Sequence, residues 1–288
     1  MKMIKPIVNI SKILENYQLV VTGLEGVVSE GGNILPEAKE ALIRIKKSGQ
    51  KLILLTNSPL RVQSIVEWLR HNGLSPLVFD NIVSAGEILH YLFKYRKGEF
   101  ATLGTAYYNL GQDADAAVFS LLDYVPVDKL GKADFLFMGS AAAPDATIDQ
   151  YMQILEYAAS MNVPLVCAGN DTSSFQNGDI CLAAGAVAEQ YAALGGRIIT
   201  VGKPSPEVMA YALEGADGVS PEKILLIGDN IATDIKGANL SGIGSVLVSK
   251  GVHVNYLGEG YIPDVAKTRE MANNYDAYPD YVISNLRW

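Results

Sequence analysis

The chain has 288 residues, 49% of them apolar, enough for one large α/β domain or two smaller ones around a sizeable core. A formal net charge of −8 argues against a nucleic-acid backbone as the main partner, because such a partner needs a basic footprint. No apolar run approaches the roughly 18–20 residues of a membrane helix, and the opening MKMIKPIVNISKILENYQ lacks a secretory apolar region and cleavage site, so a cytoplasmic protein that does not engage membranes is expected.

Apolar runs alternate with amphipathic segments along the chain, the signature of a parallel α/β fold. The first strand is predicted at Tyr17–Val21, followed by a glycine-containing turn rather than a helix. Pro36 opens a helix that runs to Ser48, and Gly49 ends it. A strand at Lys51–Leu55 precedes helices at Leu60–Asn72, stopped by Gly73, and at Ser84–Tyr95. The middle reads as its own βα unit, with strands at Phe100–Leu103, Phe135–Met138 and Pro164–Cys167 and a helix over Ala146–Met161. Cys167 and Cys181 have no metal-ligand spacing and are too few for a disulfide framework, so two buried thiols are expected.

A helix rich in small residues, Ala183–Leu194, leads to a strand at Ile198–Val201. Then come a helix at Pro206–Glu214, an apolar strand at Ile224–Ile227, a helix at Ile231–Ser241 and a strand at Ser245–Val248. The tail holds a helix over Pro263–Asn273 and a strand at Tyr281–Ile283. The expected division is a core of residues 1–82 and 184–288 with an inserted unit at 83–183. An inserted unit would sit over the ends of the core strands, where open α/β sheets bind ligands.

Three blocks sit at the C-terminal ends of apolar strands. Thr56 and Asn57, with Ser58-Pro59 opening the next helix, offer a hydroxyl and an amide where a helix N-terminus favours an anion. Lys203, in Gly202-Lys203-Pro204-Ser205-Pro206, can neutralise a phosphate or a neighbouring carboxylate. In Gly228-Asp229-Asn230-Ile231-Ala232-Thr233-Asp234, Asp229 ends its strand and Asp234 opens the following helix. Gly228 would let a ligand approach the backbone, and two carboxylates so placed suit Mg²⁺, a hard cation that takes oxygen ligands. Asn170 and Asp171, just before the return to the core, are candidates to face the pocket.

In this order and at strand ends, the blocks resemble the second, third and fourth motifs of the haloacid dehalogenase superfamily. The insertion resembles the class IIA cap of NagD-type phosphatases. The resemblance implies a Rossmann-like, doubly wound parallel sheet with an inserted α/β cap. It also implies a phosphoaspartyl mechanism: one aspartate attacks phosphorus, and a second, two residues on, serves as acid and base. The family's first motif reads Asp-x-Asp-Gly-Val, and the matching stretch here is Gly23-Leu24-Glu25-Gly26-Val27. Gly23 therefore holds the nucleophile position and Glu25 the acid/base position. By the same resemblance Thr56, Asn57 and Lys203 bind phosphate, while Asp229, Asp234 and the Glu25 backbone carbonyl ligate Mg²⁺ at a weakened site.

Gly23 can neither attack phosphorus nor lend a carboxylate oxygen to a metal, and no aspartate occurs before Asp80 to slide into its place. A dinucleotide loop is a poor reading of TGLEGVVSEGG, because G-x-G-x-x-G is missing and no helix follows the strand directly. Three functions then compete. The first is a pseudo-phosphatase that binds a small phosphorylated molecule. The second is a weak hydrolase in which Glu25 activates water beside Mg²⁺. The third is a structural or interaction protein, and assembly into a homo-oligomer is compatible with each.

Overall fold

The computed structural model describes residues 3–141, 143–176, 179–216 and 218–288. In chain order its first strands are β1 (Lys5–Pro6), β2 (Leu19–Thr22), β3 (Ser29–Glu30), β4 (Asn33–Ile34), β5 (Lys51–Thr56) and β6 (Asn81–Ser84). The middle supplies β7 (Ala106–Asn109), β8 (Val125–Pro126), β9 (Phe135–Met138), β10 (Leu165–Ala168), β11 (Ser173–Gln176), β12 (Asp179–Leu182) and β13 (Ile198–Val201). The last are β14 (Ile224–Gly228), β15 (Gly244–Val248) and β16 (Tyr281–Ile283).

A seven-stranded sheet in the order β1-β16-β15-β14-β2-β5-β6 forms one unit, all of its pairings parallel. Its central strands are apolar throughout because both faces are covered. Val20, Leu52, Leu54, Leu225 and Ile227 pack on one face with Leu42 and Ile45 of the helix Pro36–Lys47. The alternate residues Leu19, Val21, Ile53, Leu55 and Leu226 pack on the other with Val208 and Met209 of the helix Pro206–Leu213. The period-two alternation of the strands thus divides one continuous apolar run between two helical layers. This is the doubly wound α/β fold expected from the sequence.

A second sheet, β13-β10-β9-β7-β8, belongs to the inserted unit, and β11–β12 is an antiparallel hairpin beside it. Two expectations change here. Because β13 pairs with β10 from Leu165↔Ile198 to Ala168↔Val201, the second sheet takes in a strand that lies beyond the expected boundary at residue 183. The strand predicted at Phe100–Leu103 is instead a 3-10 turn, Gly98–Ala101, and the strand forms later, at Ala106–Asn109. The reason is packing: Phe100 docks edge-on against Phe93 at 4.8 Å, inside an aromatic cluster that includes Phe119 and Phe135. Tertiary burial of one ring outweighs the strand propensity of a short run.

The chain crosses between the units twice, and both crossings press on residues 56–60. At the first, a Cβ on Gly86 would stand 1.9 Å from the Pro59 carbonyl oxygen. At the second, a Cβ on Gly202 would stand 2.7 Å from Asn57 Oδ1 and 2.5 Å from the Gly169 Cα. No described helix is long and apolar enough to cross a membrane.

Candidate active site

Adjacent strands β14, β2 and β5 bring Asp229, Gly23 and Thr56–Asn57 to one edge of the sheet. The register is fixed by Ile227↔Thr22 and by the Gly23 N–H, which donates to the Ile227 carbonyl at 2.8 Å. Gly23 follows directly on β2 and lacks the positive φ that would require glycine. A Cβ there would meet Val27 Cγ2 at 3.3 Å, the Ile227 oxygen at 3.6 Å and Asp234 Oδ1 at 3.8 Å. A side chain at this position would thus start beside the Lys203–Asp234 pair.

Lys203, 6% exposed, donates from Nζ to Asp234 Oδ1 at 2.6 Å. Burial works against its charge, but Asp234 and Asp171 more than offset this and hold the ammonium pKa above its ordinary value. Asp234 Oδ2 accepts from the Asn230 N–H at 3.1 Å. Gly228, expected to admit a ligand, instead makes room for Asp234 itself, since a Cβ would fall 2.2 Å from the Asp234 Cβ. Asp229 lies between Gly26 and Gly251, where added Cβ atoms would come within 2.0 and 2.3 Å of its Oδ2. That oxygen accepts from the Val252 N–H at 2.8 Å. Burial first, and then the neighbouring Asp234, push the Asp229 carboxyl up to about 8.

Thr56 and Asn57 line the same cavity, but the helix after them begins at Val62, too far on for its N-terminus to act at Asn57. Asn57 serves instead as a rivet. Its Oδ1 accepts from the Lys203 N–H at 2.7 Å, while its Nδ2 donates to the Lys203 carbonyl at 3.3 Å and to Asp171 Oδ2 at 2.8 Å. Thr56 Oγ1 accepts from the Ser58 N–H at 3.1 Å.

Glu25 lines the cavity, but its carboxylate turns to the flap β3–β4. One oxygen accepts from Ser29 Oγ at 2.9 Å and the other from the Gly31 N–H at 3.1 Å. Its carboxyl is raised above the ordinary range, chiefly because the protein around it displaces water, with those two hydrogen bonds opposing the shift.

The cavity measures about 580 Å³ and lies between the two units. Leu24, Trp68 and Leu60 line it from the first unit, and Ser140, Phe175 and Asp171 from the second. Of the strand-end candidates, Thr56, Asn57, Lys203, Asp229 and Asp234 line the cavity together with Glu25, whereas Gly23 is not among its lining residues. Sequence reasoning missed the lining residue Ser140, whose hydroxyl donates to the buried Asp115 at 2.6 Å, and, behind the loop after β14, His253, whose Nε2 accepts from the Ile231 N–H at 3.1 Å. Neither stands in a recognisable motif; each reaches its place through loop packing. Burial pushes the His253 imidazole down to about 4.

Gly23 contributes no carboxylate, both Asp234 oxygens are engaged, and one Asp229 oxygen is taken by Val252. Among the described residues no three His, Cys, Asp or Glu side chains are grouped to hold a metal ion.

Comparison with known proteins agrees with this arrangement. The family model for haloacid dehalogenase-like hydrolases matches residues 96–242; a second of that description matches 20–124, and one for HAD-hydrolase-like proteins matches 200–288. The chain is 26% identical over 249 residues to the sugar-phosphatase AraL of Bacillus subtilis, covering 85% of this chain and 88% of AraL. It is 26% identical over 242 residues to the ribonucleotide monophosphatase NagD of Escherichia coli, covering 81% and 88%. A haloacid dehalogenase-like hydrolase from Brucella suis superposes with a TM-score of 0.81 at 26% identity, covering 96% of this chain and 98% of that one. With strand-end motifs, inserted cap and relatives in agreement over nearly the whole length, the chain belongs to the haloacid dehalogenase-like hydrolase family.

Proposed function

We propose that this chain is a phosphatase-fold protein that binds a phosphorylated small molecule and turns it over very weakly or not at all. The reading rests on one observation: the residue directly after β2 is Gly23, so the position beside the Lys203–Asp234 pair to which the family resemblance assigns the nucleophile carries no carboxylate. Removing a covalent nucleophile has cost on the order of 10⁶ in turnover in another hydrolase. The remaining parts favour a phosphorylated ligand, with Lys203 as the buried cation and Thr56 and Asn57 lining the same cavity beside it. The sugar-phosphatase relative makes a sugar phosphate the first ligand to try. Magnesium, if it engages Asp229 and Asp234, is held weakly.

The test is phosphate release from a panel of phosphoesters, comparing wild type with Gly23→Asp in magnesium buffer. Wild type should sit near background, and Gly23→Asp should gain roughly 100-fold or more, since the position faces the retained pair. Wild-type turnover of tens per second, unchanged by Gly23→Asp, would overturn the reading.

One observation favours a second reading, in which Glu25 activates water: a raised carboxyl pKa on a cavity-lining residue suits a general base. Against it, both oxygens are committed to Ser29 and Gly31. The third reading, a structural protein without a ligand, predicts no thermal shift with millimolar phosphate or sugar phosphate, because a bound ligand must stabilise the fold.

A further inference from the structure

Asp171 follows β10 in the inserted unit, yet its side chain is bonded entirely to the core. Oδ1 accepts from Asn230 Nδ2 at 2.8 Å and from Thr233 Oγ1 at 2.7 Å, and Oδ2 accepts from Asn57 Nδ2 at 2.8 Å. One carboxylate thus joins the loop after β5 to the loop after β14, across the strand β2 that lies between them.

The chemistry of these partners calls for an acceptor at both oxygens. Asn57 must present its NH₂ group, because its Oδ1 is fixed by the Lys203 N–H at 2.7 Å. Asn230 must do the same, because its Oδ1 accepts from the Ala232 N–H at 3.0 Å. With both amides oriented by backbone donors, an asparagine at 171 would turn an NH₂ toward another NH₂. A carboxylate satisfies all three donors at once.

The loop that carries Asp171 is itself clamped. Asn170 Nδ2 donates to the Lys203 carbonyl at 3.0 Å, and the Asp171 carbonyl accepts from the Gly185 N–H at 2.9 Å. A Cβ on Gly169 would stand 2.8 Å from the Asn57 Cβ, and one on Gly185 would stand 2.6 Å from the Asp171 oxygen. The carboxylate is thus delivered from a clamped loop to the margin of the cavity.

We propose that Asp171 is a positioning residue of the binding site: the cap carboxylate sets the core loops at Thr56–Ser58 and Asp229–Asp234 in the arrangement that receives the ligand. The cap then contributes to the ligand-binding geometry as well as covering it. This rests on the reading of the site as a phosphate-ester pocket, so its test has one arm that needs phosphate and one that does not.

In the first arm, inorganic phosphate is titrated calorimetrically into wild type and Asp171→Asn, and affinity should fall roughly tenfold or more in the variant. In the second, amide hydrogen exchange is mapped without ligand. Asp171→Asn should speed exchange at residues 57–60 and 230–234 while the central strands β2 and β5 keep their protection. Thr233→Val, which deletes a single donor, gives the milder case if Asp171→Asn folds poorly. It should loosen residues 57–60, on the far side of β2, through Asp171. Exchange changes confined to residues 169–173, or none, would overturn the proposal whatever the calorimetry shows. Wild type that takes up no phosphate would sink the pocket reading alone, leaving exchange to decide on Asp171.

Discussion

Two neighbouring strands of the central sheet end in the same cleft and have fared differently. β14 keeps its terminal carboxylates, Asp229 and Asp234, each lodged in a slot kept free by glycines. β2 leads into Gly23 and then Gly26-Val27 with its flap, and Gly23 is the position that the proposed reading assigns to the missing acid. The contrast separates two demands on a strand end. The β14 tip is tied into the structure by the buried ion pair and by bonds to Asn230 and Val252. At Gly23 there is no side chain to tie, and the strand end is held by its backbone, whose N–H donates to the Ile227 carbonyl at 2.8 Å.

If the β14 tip is structural, removing its cation should be the costliest change. Lys203→Met would leave Asp234 buried beside Asp171 and Asp229 without compensation, and a loss of about 3–5 kcal/mol is expected by denaturant melting. A loss below 1 kcal/mol would mean that the pair is not needed to hold the tip.

Gly26 links the two tips, since its φ of +76° is strained for other residues and its Cβ would enter the Asp229 slot. Gly26→Ala should cost about 2–4 kcal/mol from strain and overpacking together, whereas Gly32→Ala, with open space around it, should show the strain alone.

Acid should attack the β14 side first. Unfolded His253 takes up a proton near pH 6.5, whereas the folded imidazole resists protonation down to about 4. The unfolded state therefore binds more protons in that window. The stability from keeping His253 neutral is complete above pH 6.5 and is lost as pH falls toward 4, up to about 3 kcal/mol. Melts of His253→Gln across the same range should show a flatter dependence than wild type.

The smallest effect is expected on the β2 side. Glu25→Gln keeps an acceptor for Ser29 and should change stability by less than about 1 kcal/mol and leave phosphate release at the wild-type level. A clear drop in release would instead favour Glu25 as the base.

Much of this was legible in the sequence because strand-end motifs are local. Thr56, Asn57, Lys203, Asp229 and Asp234 each follow an apolar run, and five or six residues fix their place at the cleft. Less legible were features set by distant partners. The strand β13 reads like any other strand, and only its pairing with β10 assigns it to the cap. Phe100 reads as the start of a strand until Phe93 is seen to claim its ring. Asp171 sits in a polar loop whose sequence fits an ordinary turn, and its three partners lie 59 to 114 residues away.

The double seam at residues 56–60 has a consequence for motion. With Gly86 against the Pro59 carbonyl and Gly202 against the Asn57 amide, both crossings bear on the segment that also walls the cavity. Any tilt of the cap is therefore expected to be felt first at residues 56–60, the same few residues that face the cavity.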